Sequence, residues 1–141
     1  MPDPDDVQAL ASRWLAKAGD DLDTSRLVLA VPKEVGPWVA AFHAQQAIEK
    51  AMKAILVLRQ TPFPRSHDLE ELRGLLPAEL DLPDPDELAP LTAYAADARY
   101  PELAFDTAPT AEDALDATGI AERVVAMARR IVEVEGAVSD G

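Results

Sequence analysis

Cysteine is absent from the 141 residues. Its absence excludes a disulfide scaffold, a thiolate metal site and a cysteine nucleophile, and it suits a reducing compartment. Aromatic residues reach only 5%, and β-branched residues rarely alternate with polar ones, so strand signals are weak throughout. No run approaches the roughly 18 apolar residues of a membrane span. The first residues, Met1-Pro2-Asp3-Pro4-Asp5-Asp6, are acidic and proline-broken where a secretory signal would be basic and then apolar. A soluble, cytoplasmic protein with no membrane contact is the expectation. Basic residues are also scarce: 13 Lys+Arg stand against 26 Asp+Glu, a formal net charge of −13. Such a chain cannot hold nucleic acid by neutralising phosphates along its whole surface, so any polyanion contact must be local.

What is plentiful is alanine, the strongest helix former, within a composition that is 48% hydrophobic. Twelve prolines leave three long proline-free stretches, 5–31, 38–61 and 110–141, with two shorter ones at 65–76 and 91–100. In the first, Val7, Leu10, Ala11, Trp14, Ala18, Leu22, Ser25 and Leu29 recur every three or four residues, the period of a one-sided helix. The second is expected to run from Trp38 to about Arg59 after Gly36-Pro37, and to be the most buried element. There Ala41, Ala44, Ile48, Met52 and Ile55 share one broad arc, while His43, Gln46, Lys50 and Lys53 form a polar stripe opposite.

Asp68, with Glu71 three residues on, reads as the cap of a short helix ending near Leu76. A fourth helix is expected over about Glu87 to Arg99, with Pro90 confined to its first turn and Tyr100-Pro101 as its stop. The last opens at Thr110 with Asp113 in the capping-box position, and 136–141 reads as a flexible tail. The expected architecture is all-α: one domain over 1–141 with an ordered core at about 5–135, an up-and-down four-helix bundle with an additional short helix.

Charge is unevenly spread. Residues 41–75 carry five bases against four acids, so this stretch is about +1 and the remainder −14, and it holds both histidines, His43 and His67. Between 74 and 122 the only base is Arg99. The stripe His43, Gln46, Lys50, Lys53 admits two readings, the solvated face of an amphipathic helix or a strip that holds phosphate or an acidic partner. His67 is either a local turn contact or a ligand-binding group, and Arg99 either pairs with nearby acids or faces a ligand. Gln45 lies near the apolar arc and needs a partner, on a neighbouring helix or across a dimer contact, because an unsatisfied buried amide costs about 1–3 kcal/mol. No His-x₃-His spacing, no serine in a nucleophile-elbow context and no glycine-rich loop is present, so no metal, no cofactor and no catalytic residue are assigned.

Three blocks carry a resemblance: Phe42-His43-Ala44-Gln45-Gln46-Ala47-Ile48-Glu49-Lys50-Ala51-Met52-Lys53-Ala54-Ile55-Leu56, Pro64-Arg65-Ser66-His67-Asp68-Leu69 and Ala98-Arg99-Tyr100-Pro101. In their order and spacing the chain resembles a HEPN-domain protein of the small bacterial and archaeal type, over about residues 6–135. The resemblance implies a four- or five-helix bundle, a homodimer, and a role connected with nucleotides or RNA. It also implies a companion, a minimal nucleotidyltransferase, as a substrate-binding or toxin–antitoxin pair. Many HEPN proteins are metal-independent ribonucleases with an Arg-x₄₋₆-His motif near the start of the last helix, and no such pair exists here. Loss of a proton-transfer group removes about 10²–10⁴ of rate. The fold and the binding role are therefore carried over and the nuclease activity is not.

The expected site is thus His43, Gln46, Lys50, Lys53, His67 and Arg99, in a nucleotide-, RNA- or partner-binding module. On this reading Lys50→Glu with Lys53→Glu abolishes binding while the chain stays helical. Two alternatives are an atypical ribonuclease using His43 or His67 with Arg99, and a purely structural oligomerisation bundle.

Overall fold

Proline and its caps set the helix boundaries. In a computed structural model, which describes residues 2–31, 35–99 and 108–139, five helices follow in order: α1 (Pro4–Leu29), α2 (Pro37–Leu58), α3 (Leu69–Gly74), α4 (Pro85–Arg99) and α5 (Ala111–Ser139). Pro4, Pro37 and Pro85 each occupy the first helical position, where the missing N–H would have no intrahelical partner. Thr110 and Asp113 form the full reciprocal box, Thr110 N–H to Asp113 Oδ2 at 2.9 Å and Asp113 N–H to Thr110 Oγ1 at 3.1 Å. At α3 the box is half made. Asp68 Oδ1 accepts from the N–H groups of Glu70 and Glu71, while Ser66 Oγ accepts from the Asp68 N–H and donates to Glu71 Oε2.

Two expectations are corrected here. Helix α4 starts at Pro85, because Asp84 and Glu87 form a second reciprocal box (3.1 and 3.0 Å). Pro90 therefore lies in the sixth helical position, beyond the first turn, and it is exposed there, so solvent can satisfy the carbonyl its missing N–H leaves unbonded. Helix α5 continues through Gly136 to Ser139, into the stretch read as a tail. Gly136 is buried under the Gln8 side chain, in a place where a Cβ would collide with it, so the end of α5 is packed against the start of α1.

Helix α2 ends in a Schellman motif: the Thr61 N–H donates to the Leu56 carbonyl (2.9 Å) and the Gln60 N–H to that of Val57 (3.0 Å). The motif needs a left-handed residue, and Gln60 supplies it at φ 54°, where glycine is the usual occupant. Gln60→Gly is expected to raise stability by about 1 kcal/mol, the approximate strain of a left-handed non-glycine residue less the entropy of the added glycine. Urea denaturation of the two proteins checks this.

The helices run up, down, up, down. Helix α1 lies antiparallel to both α2 and α5: Ser25 meets Ala40 and Thr118, whereas Gln8 meets Val132. Tyr94 near the end of α4 packs against the cluster of Ala40, Ala41 and Ala114 at the starts of α2 and α5, so α4 is antiparallel to α2 as well. Every other helix touches α2, which buries Ile48, Met52, Ile55 and Leu56 completely, as its nearly all-round apolar surface requires. Alanines with no exposed surface (Ala18, Ala44, Ala47, Ala51, Ala121, Ala128) let the backbones approach closely. One polar knot crosses this core. The hydroxyls of Ser25 and Thr118 are 2.6 Å apart, Ser25 faces the Ala40 carbonyl at 2.9 Å, and Thr118 faces that of Ala114 at 2.8 Å. Two hydroxyl hydrogens thus serve three contacts that join α1, α2 and α5.

Candidate functional site

The polar stripe of α2 lies along its seam with α1 and the α2–α3 connection, and it is not a solvated face. It is organised around two carboxylates. Asp21 on α1, with only 13% of its side chain exposed, accepts from Lys50 Nζ at 2.6 Å through Oδ2 and contacts His43 Nδ1 at 2.9 Å through Oδ1. Four residues before Lys53 on α2, Glu49 is buried. Its Oε2 accepts from Lys53 Nζ at 3.1 Å, and its Oε1 contacts His67 Nδ1 at 2.8 Å with the Gln45 amide at 3.5 Å.

Burial explains why both carboxylates are so fully partnered, since a charge removed from water is tolerated only when paired and hydrogen-bonded. Lys53 is itself 7% exposed; its ammonium lies 5.6 Å from the Trp14 ring centre and 5.7 Å from that of Phe63, two rings that meet edge to face. The aromatic faces and Glu49 together replace the water it has lost. Gln45 is satisfied within the chain, by neither route expected for it. It donates to the His67 carbonyl (3.2 Å) in the connection after α2 and accepts from Gln46 (2.6 Å). That amide and the Glu49–His67 contact pin the connection onto α2. His67 remains half exposed, and among the described residues no hydrogen bond engages its Nε2.

Four expected residues, His43, Lys50, Lys53 and His67, are thus assembled into two carboxylate-centred clusters one turn apart on α2, and Gln46 joins the Glu49 cluster by donating to Gln45. Arg99 closes α4, whose antiparallel course carries it towards the end of the bundle where α2 begins; its side chain lies outside the described residues, as do Tyr100 and Pro101. The geometry also overturns the expected behaviour of Lys53→Glu: a second carboxylate beside buried Glu49 would disrupt the fold, so that substitution cannot report on binding.

Asp21, Glu49, Trp14 and Phe63 were not among the expected site residues. Two signals could have exposed the acids. Asp21 adjoins Leu22 at the edge of the apolar stripe of α1, and Glu49 stands four residues before Lys53 in the favourable Glu-to-Lys order. Nothing in the sequence places the rings of Trp14 and Phe63 over Lys53.

Among the described residues no group of three or more histidine, aspartate or glutamate side chains could hold a metal ion, and no helix is long and apolar enough to cross a membrane. The fold and the carboxylate-braced seam define a small all-α bundle with a polar, histidine-bearing face. The HEPN domain family model matches residues 11–131, and the chain belongs to this family. It is similar to TT1696 from Thermus thermophilus, at 27% identity and a TM-score of 0.70, over 86% of this chain and 97% of that one. It is also similar to ST0689, an archaeal HEPN homologue, at 25% identity and a TM-score of 0.62, with the same coverage. Among curated proteins nothing matches the chain.

Proposed function

We propose that the protein is a nucleotide- or RNA-binding HEPN module, acting as a homodimer and as the companion of a minimal nucleotidyltransferase. The contact face is the α1–α2 seam, with His43, Gln46, Lys50 and His67 meeting the ligand and Arg99 adding a cation from α4. Lys53 acts from beneath by holding Glu49.

The observation that carries this reading is the bracing of the row by Asp21 and Glu49. Lys50 uses one ammonium hydrogen on Asp21 and retains two for an incoming phosphate, while His67 presents its second nitrogen outward. Side chains held in place lose little entropy on binding. In a chain of net charge −13, the near-neutral segment 41–75 is also where an anion meets least repulsion.

The test is fluorescence anisotropy with a labelled single-stranded RNA, together with thermal shift against a nucleotide panel. Lys50→Gln and His67→Ala should each weaken binding at least tenfold while the helical circular dichroism is retained. Binding undiminished from the wild-type value in both variants overturns the assignment.

One observation favours a second reading, the ribonuclease. A buried carboxylate fixing one imidazole nitrogen, as Glu49 does for His67, is an arrangement that also orients histidine for proton transfer. An RNA-cleavage assay with and without EDTA, run on His67→Ala and His43→Ala, decides it. Cleavage unaffected by either substitution rules this site out.

A further inference from the structure

We infer that the groove between the start of α1 and the end of α2 binds a small amphipathic anion, its alkyl or aryl body in the groove and its single charged head between Arg13 and Lys17. The site borders the proposed nucleotide face, because Trp14 and Phe63 line it and also flank Lys53, but it uses none of the side chains that meet the nucleotide. The groove, largely open to solvent, has a volume of about 510 Å³ between Val7 and Leu10 on α1, Leu56 and Val57 on α2, and Pro62 and Phe63 on the connection. Its size falls within the usual range for small-molecule sites, and its walls are apolar as such sites are. Leu10, which lines it, leaves 42% of its surface in water. Beside it, Leu10 also lines a second hollow of about 190 Å³ with Arg13, Trp14 and Lys17, so apolar and cationic surfaces are continuous.

Two features point to an anion. Carboxylates outnumber bases two to one, and of the Lys and Arg side chains described, Arg26, Lys50, Lys53 and Arg59 are paired with an acid while Arg65, Arg73, Arg123, Arg129 and Arg130 are not; what sets Arg13 and Lys17 apart from these is their place beside the apolar groove. Arg13 and Lys17 form no ion pair among the described residues, although they stand four apart on one helix and repel each other. An anionic head relieves that repulsion. At the far end Asp6 lines the groove and disfavours a second negative charge, which selects a ligand charged at one end only. Val7 to Lys17 spans about 15 Å of helix, the length of a medium-chain fatty carboxylate or a fused-ring sulfonate. Gln60 also lines the groove, and its unfavourable left-handed backbone places a polar side chain where glycine would leave none.

The experiment is titration of the full chain with 8-anilinonaphthalene-1-sulfonate, followed by competition. A single saturable site is expected, displaced by decanoate but not by acetate or decyltrimethylammonium. Arg13→Glu with Lys17→Glu, both on exposed surface, should weaken binding at least tenfold, and Leu10→Asp should do the same with its circular dichroism unchanged. Equal competition by decyltrimethylammonium, absence of saturable binding, or undiminished affinity in the doubly charge-reversed protein overturns the inference.

Discussion

Replacing Glu49 with alanine should lower the free energy of unfolding by about 3–5 kcal/mol, the cost of leaving one member of a buried ion pair without the other. Without Glu49 the Lys53 ammonium, 7% exposed and flanked by Trp14 and Phe63, keeps only aromatic faces for company. His67 and Gln45 lose the acceptor that joins the α2–α3 connection to α2. Urea denaturation followed by circular dichroism measures the loss, and a change below about 1 kcal/mol would show that the pair is solvated. The double variant Glu49→Leu with Lys53→Met tests the cause. It removes both charges and should recover most of the lost stability, since well-packed apolar residues often replace a buried pair without penalty. It should not restore nucleotide binding, because His67 would no longer be held.

Leu22→Ala should cost a similar amount, about 2–5 kcal/mol. Helix α1 buries Ala11, Ala18, Gly19, Leu22 and Ser25, and among these Leu22 is the one large apolar side chain. Small residues bring α1 close to α2 and α5 but contribute little apolar area, so its attachment depends heavily on one residue. Leu27→Ala, at a position 70% exposed, serves as the control and should change stability by no more than about 0.5 kcal/mol. Thermal and urea unfolding of the two variants side by side give the comparison.

The helical fold was legible because each helix carries its own local instructions. Thr110 with Asp113, and Pro37 after Gly36, mark starts by chemistry that operates within a few residues. The start of α4 is just as local: the Asp84–Glu87 box opens the helix earlier than expected and so sets Pro90 beyond the first turn. At the other end of α5 the local view failed for a different reason. Gly136 to Ser139 read as part of a tail, yet α5 runs on through them, and Gly136 packs against α1 at Gln8, 128 residues away in sequence.

For the candidate site, the sequence by itself determined which groups are available: two histidines, a lysine-bearing stripe at helical spacing, and a segment 41–75 freed from the acidity of the rest. Periodicity could set those residues on one side of α2, because that depends only on the helix repeat. Only the tertiary structure decided what that side faces. Asp21 reaches His43 and Lys50 from another helix, and Glu49 is buried because the connection carrying Phe63 and His67 folds over it. Whether a lysine is a solvated charge or half of a buried pair depends on the water removed around it, and that is a property of the packed helices and not of any one of them.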